Sequence, residues 1–235
     1  MRPPRTVSLV PSATETLVAL GVVPVGCTRF CDVAGVETVG GTKNVDVDAV
    51  VALAPDLVIV NDEENRIEDA RALEAHGLTL HEMSPHSVAD VGPAVCALAA
   101  AVGASVPARF AAWDAWIEAT ATPVYTAAFV PIWRRPWMSL AADTYGSSLL
   151  AHVGIANVFA DATERYPEVA LDDVAARAPA VALLPSEPYV FTEQHARELR
   201  DAMPGVGATF VDGRDLFWWG IRTPDAAERL RGLGR

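Results

Sequence analysis

Residues 45–60, VDVDAVVALAPDLVIV, return as residues 169–184, VALDDVAARAPAVALL, with no gap and a constant offset of 169 − 45 = 124. Val45 falls on Val169, Asp48 on Asp172, Val50 on Val174 and Pro55 on Pro179. Each copy reads as a short helix capped by its Asp and stopped by its Pro, followed by an apolar run of strand length. A continuously apolar strand fed by a helix suits a parallel sheet covered on both faces. Two such copies in 235 residues predict two α/β lobes instead of one large domain.

Helix and strand signals alternate around each copy. In the first half the pattern predicts strands at 6–10, 24–28 and 78–83 and helices at 11–21 and 66–76, with Gly21 and Gly77 as stops. The second half mirrors this with strands at 124–129, 157–159 and 208–211, helices at 145–153 and 193–202, and a C-terminal helix from Asp225. Alternating β and α implies doubly wound sheets. Two helical patterns lie between the halves, 88–102 and 106–121; the second has no Gly and opens with Ser105 and Pro107. Roughly sixteen residues at 1.5 Å each give about 24 Å, enough to run along two stacked lobes. The expected division is an N-terminal lobe at 1–104, a connecting helix at 105–122 and a C-terminal lobe at 123–235.

Lys and Arg number 18 against 30 Asp and Glu, a net charge of −12 that opposes binding to nucleic acid or an anionic membrane face. Although 51% of residues are hydrophobic, no run reaches the roughly 18–20 uncharged apolar residues of a spanning helix, so no membrane insertion is expected. The few residues before the first strand contain no apolar signal segment. The expected location is therefore cytoplasmic as written, and extracytoplasmic if a longer precursor exists. Three cysteines, Cys27, Cys31 and Cys96, are too few and odd in number for a disulfide framework.

Ligands of open α/β sheets bind beyond the carboxyl ends of the strands. In the second half those segments are 132–138, 185–191 and 213–222, and they hold Trp133, Trp137, Trp218 and Trp219 interleaved with Arg134, Arg135, Arg214 and Arg222. Indoles supply stacking area and guanidiniums hold carboxylates or amides, which suits a large, flat, partly polar ligand. The alternative role for these tryptophans is to pin long loops onto the lobes. Asp62, Glu63 and Glu64 could serve a hard metal or acid–base chemistry. They also fit a capping box, with Asn61 as cap and Glu64 three residues on. Cys27 and Cys31 lack the second Cys or His pair of a zinc site, and His76, His81, His86, His152 and His195 form no i, i+4 pair. Phosphate-loop, nucleophile-elbow, zincin and dinucleotide signatures are absent, so no catalysis and no intrinsic cofactor are expected.

Residues 6–21 (TVSLVPSATETLVALG), 24–32 (PVGCTRFCD) and 51–59 (VALAPDLVI) resemble the helical-backbone substrate-binding proteins of ABC importers for cobalamin, haem and ferric siderophores, the cobalamin branch in particular. The resemblance implies two Rossmann-like lobes with central parallel sheets bridged by a single long helix, and noncatalytic binding of a metal chelate, most readily a corrinoid, in the interlobe cleft. It carries ligand contacts onto Phe30, Asn61, Trp218, Trp219 and Arg222; Trp133, Arg134, Trp137 and Tyr189 join them from the loop reading. Asp48 and Asp172 match acidic positions that dock a permease in the family, where the residue is Glu; as helix caps they would need no partner. The chelate brings its own metal, so no protein ligand to metal is expected. Two other readings make the chain a cytosolic metal-dependent enzyme acting through Asp62, Glu63 or Glu64, or a docking module whose Trp loops meet a protein.

Overall fold

A computed structural model describes residues 4–233. The chain forms two compact units: unit 1 comprises the chain up to Pro85 with Asp90–Trp113 and Trp219–Ile221, and unit 2 comprises His86–Ala89, Asp114–Trp218 and the chain from Arg222.

Unit 1 is built on β1 (Thr6–Ser8), α1 (Pro11–Ala19), β2 (Gly26–Cys27), β3 (Glu37–Thr38), the antiparallel pair β4 (Gly40–Gly41) and β5 (Asn44–Val45), α2 (Val47–Ala52), β6 (Leu57–Val60), α3 (Ile67–Ala75) and β7 (Leu80–Glu82). Its parallel sheet runs β3-β2-β1-β6-β7. Val7, Leu9, Val39, Val50, Val58, Val60 and Leu73 make its core. The pattern is doubly wound, and it reverses direction between β1 and β6, the place where such sheets open a crevice.

The connecting segment holds α4 (Val88–Val102), α5 (Ala108–Ala111) and α6 (Trp113–Thr120). The single helix predicted over 105–122 is thus replaced by two shorter ones, broken at Ala112 (φ −115°, ψ 41°). Packing accounts for the break. Phe110 and Trp113 are both buried with their rings stacked at 5.0 Å, and the Trp113 ring lies so close to Gly92 of α4 that any side chain there would overlap it. No helix among the described residues is long and apolar enough to cross a membrane.

Unit 2 continues with β8 (Thr126–Phe129), α7 (Tyr145–His152), β9 (Ile155–Asn157), α8 (Leu171–Ala176), β10 (Val181–Pro185), α9 (Glu193–Ala202), β11 (Gly207–Val211), α10 (Gly213–Phe217) and α11 (Thr223–Leu230). Its four-stranded parallel sheet runs β11-β10-β8-β9 and reverses between β8 and β10. Phe129 anchors the core, edge-on to Trp137 at 6.3 Å and to Phe159 at 6.0 Å. The strand predicted at 157–159 ends where it was expected to begin, because Asn157 turns its side chain inward to the Leu140 carbonyl (2.6 Å) and the Ser147 hydroxyl (3.2 Å).

The repeat survives in three dimensions. The helices α2 and α8 occupy equivalent positions, Val50 and Val174 are both fully buried, and the residues before the two prolines, Ala54 (φ 44°) and Ala178 (φ 48°), share a left-handed backbone. The caps differ from expectation. Asp46, not Asp48, caps α2 by accepting from the Ala49 N–H (3.0 Å), and α8 has Ala170 as its cap residue and no side-chain cap. Asp48 and Asp172 are exposed first-turn residues. A Cβ in the left-handed region costs about 1–2 kcal/mol, while glycine costs about 0.5–1 kcal/mol in chain entropy. Ala54→Gly and Ala178→Gly are each expected to stabilise the chain by about 0.5–1 kcal/mol in urea unfolding; a loss of stability at both positions would contradict the strain.

Candidate functional site

The two crevices at the points of strand reversal are finished differently. In unit 1 the turn beyond β6 is built on two buried asparagines. Asn61, 4% exposed, accepts from the N–H groups of Glu63 (2.9 Å) and Glu64 (2.8 Å) and donates to the Met83 carbonyl (3.1 Å) and the Ser84 hydroxyl (3.4 Å). Asn65 accepts from the Asn61 N–H (2.9 Å) and donates to the carbonyls of Leu9 (3.2 Å) and Thr42 (3.1 Å). The expectation that Asn61 contacts ligand is corrected: its side chain is spent on the turn. The capping reading holds in half: Asn61 accepts from the Glu64 N–H, but its own N–H goes to Asn65 instead of Glu64, and the helix that follows starts at Ile67 with Arg66 as its cap residue.

Asp62, Glu63 and Glu64, weighed above for a hard metal, lie in the same turn. Asp62 N–H donates to Ser84 Oγ (3.0 Å), and the Glu63 carbonyl accepts from Lys43. No group of three or more His, Cys, Asp or Glu side chains among the described residues is disposed to hold a metal. Of the other expected contacts in unit 1, Phe30 is 52% exposed beside the Arg29 guanidinium (4.8 Å), whereas Trp219 is 4% exposed, which removes it from the residues able to stack on a ligand.

In unit 2 the segments beyond the strands carry aromatic and charged side chains. Beyond β8 stands Trp133, 44% exposed, and beyond β10 stands Tyr189; their rings meet edge-on at 5.3 Å. Tyr189 is backed by Phe191 (4.9 Å) and His195 (5.5 Å). Beyond β11, two guanidiniums stand over the Trp218 ring, Arg214 at 4.7 Å and Arg222 at 5.4 Å. Glu187 takes a hydrogen bond from the Trp218 side chain; burial raises its pKa, and that bond together with Arg214 and Arg222 opposes the rise. The backbone of Glu187 is pressed on Gly213, where a Cβ would stand 2.6 Å from both its N and its O. The 185–189 and 212–218 loops are therefore locked together with the indole held in place.

Two other expected contacts are tied inward. Trp137 is 6% exposed and stacks on Phe191 (5.9 Å, 4° between planes), so it belongs to the core. Arg134 lies over that indole (4.7 Å) and forms a two-pronged ion pair with Glu198. Arg222 is shared: it covers Trp218 and binds the buried Asp215 carboxylate (3.1 Å). The sequence reading counted Arg214 among the loop guanidiniums but passed over Glu187. The signal was Trp218, whose indole N–H needs an acceptor and whose face attracts cations.

No family model matches the chain. It is 26% identical over 186 residues to the vitamin B12-binding protein of Salmonella choleraesuis, covering 75% of this chain and 70% of that protein. It is 26% identical over 204 residues to the vitamin B12-binding protein of Vibrio parahaemolyticus, covering 82% and 71%. Among solved structures, the periplasmic vitamin B12 binding protein BtuF of Vibrio cholerae superposes with a TM-score of 0.81 at 21% identity, covering 98% of this chain and 96% of that one. The periplasmic heme-binding protein RhuT of Roseiflexus sp. RS-1 superposes with a TM-score of 0.79 at 21% identity, covering 97% of each chain. The resemblance to the helical-backbone substrate-binding proteins, cobalamin branch, is upheld, and the α/β fold is that of the periplasmic binding proteins.

Proposed function

We propose that this chain, similar in sequence to vitamin B12-binding proteins and folded as a substrate-binding protein, holds a metal chelate without transforming it, a corrinoid in first place and haem in second. The arrangement around Trp218 carries the reading. A partly exposed indole, the two guanidiniums over it and a partly buried carboxylate set apolar area among hydrogen-bond donors and an acceptor. A tetrapyrrole-derived macrocycle with a rim of amides or carboxylates matches that pattern. Trp133 and Tyr189 extend the aromatic surface within unit 2. The chelate's own ligands satisfy its equatorial metal positions, so the protein needs no metal site of its own. The same reading makes the chain noncatalytic, places it outside the membrane like its periplasmic relatives, and assigns Asp48 and Asp172 to docking an ABC permease through their exposed carboxylates.

Titration with cobalamin, cobinamide, haemin and a ferric siderophore, followed by tryptophan fluorescence and calorimetry, tests the proposal. One of them is expected to bind with a Kd below about 100 µM. Trp218→Ala is expected to weaken that ligand about tenfold, near 1.4 kcal/mol, the scale of losing one buried aromatic contact. Absence of binding by all four overturns the reading.

A further inference from the structure

We infer that His195 is a positioning residue of the proposed chelate site: its imidazole sets the polarity of the Tyr189 hydroxyl, so that the phenolic proton is offered to an oxygen of the bound chelate, an amide carbonyl or a carboxylate. This rests on the reading of Tyr189 as part of the ligand surface. His195 is the third residue of α9, and Thr192 is the cap residue of that helix. The Thr192 N–H donates to His195 Nδ1 (3.0 Å), and Thr192 Oγ1 lies 3.1 Å from the same nitrogen. An amide N–H can only donate, so Nδ1 carries no proton. The ring is then neutral, with its one proton on Nε2.

Nε2 lies 3.4 Å from the Tyr189 hydroxyl. In this tautomer Nε2–H donates and the phenol oxygen accepts, which leaves the phenol its own proton for a different acceptor. The opposite polarity, with Tyr189 donating into the ring, would need both ring nitrogens bare. Donation therefore runs one way, from the Thr192 N–H to Nδ1, from Nε2–H to the phenol, and from the phenol to the ligand.

Packing fixes the imidazole in that role. Its plane is nearly perpendicular to those of Tyr189 (76°), Phe191 (81°) and Trp137 (84°), with ring centroids 5.5, 5.5 and 6.4 Å away. The His195 N–H donates to the Thr192 carbonyl (2.9 Å), so backbone and side chain close the same turn. Tyr189 also meets the exposed Trp133 ring at 5.3 Å, which makes the phenol part of the aromatic surface. The usual residue at the third helical position, Glu or Gln, reaches back to the cap N–H and stops there. Histidine makes the same bond with one nitrogen and has the other left for Tyr189.

Two measurements test the assignment. Ring nitrogen-15 spectra of the full chain at about pH 8 are expected to show a pyridine-like Nδ1 and a pyrrole-like Nε2 on His195; the reverse tautomer overturns it, whatever the chain binds. The second is a double-mutant cycle on the Kd of whichever of cobalamin, cobinamide, haemin and a ferric siderophore the native chain binds most tightly. Tyr189→Phe keeps the ring and is expected to weaken binding about three- to tenfold, the worth of one hydrogen bond. His195→Gln keeps the helix cap and is expected to unfold in urea at the native midpoint while weakening binding about threefold. In the Tyr189→Phe background the same substitution is expected to add less than about 1.5-fold. An equal loss in both backgrounds marks a packing role and overturns the assignment, as does a Tyr189→Phe chain that binds as tightly as the native one. In either case the native chain still binds its chelate and the proposed function stands, whereas a native chain that binds none of the four removes both. Should His195→Gln fail to fold, the tautomer and Tyr189→Phe still decide.

Discussion

Replacing Asp215 by alanine is expected to destabilise the chain by about 3–5 kcal/mol, the range found when one member of a buried ion pair is removed. The Asp215 side chain is 5% exposed and accepts from three guanidinium nitrogens: Arg229 Nε (2.6 Å), Arg229 Nη2 (2.6 Å) and Arg222 Nη1 (3.1 Å). Removing the carboxylate leaves the Arg222 side chain, 15% exposed, with its charge in a poorly hydrated place. The variant has a second signature. Arg222 also lies over Trp218, so a released guanidinium changes the proposed ligand surface. Arg229→Ala serves as comparison. It takes away two of the three donors but leaves Arg222 on the carboxylate, so a loss smaller than that of Asp215→Ala is expected. Urea unfolding measures both, and an Asp215→Ala loss under about 1 kcal/mol would show that the carboxylate is not holding the guanidiniums in place.

The second large effect is expected at Gly220, with Gly220→Ala costing about 3 kcal/mol. Its φ of 103° lies in the region that L side chains rarely adopt, and a Cβ would overlap Thr16 Oγ1. That hydroxyl donates to the Ser12 carbonyl (2.9 Å) and accepts from the Ile221 N–H (3.2 Å). Pushing it aside therefore adds an unsatisfied backbone donor, about 1–3 kcal/mol, to the backbone strain. Gly21→Ala separates the two contributions, because Gly21 has a φ of 82° and nothing within 4 Å of an added Cβ. It is expected to lose only about 1–2 kcal/mol; equal losses at the two glycines would remove the Thr16 contact from the account.

The repeat made much of the fold legible, since helix, left-handed alanine, proline and buried strand all follow from residues present in both copies. The break at Ala112 was not legible. The segment around it is rich in Ala and contains no breaker, and the cause lies in Gly92, about twenty positions earlier, which leaves room for Trp113. The aromatic residues were legible as a set but not one by one. Trp133 and Trp137 stand four apart in the same loop, yet one is 44% exposed and the other 6%. Composition cannot separate them, because an indole serves equally well as core filler and as ligand platform. Asn61 failed as a contact for a related reason: an amide beyond a strand can face a ligand or hold a turn, and its four hydrogen bonds within unit 1 decide for the turn.

The uneven burial of the tryptophans sorts them by the colour of their emission. Trp113, Trp137 and Trp219 are each 6% exposed or less and sit in surroundings that keep indole emission towards short wavelengths. Trp133 meets solvent, and Trp218 sits among guanidiniums, so these two emit further to the red. A chelate settling on the exposed aromatic surface quenches the red edge of the spectrum first and moves the remaining maximum to the blue. A molecule that merely absorbs light in the cuvette dims the spectrum according to its own absorption bands instead.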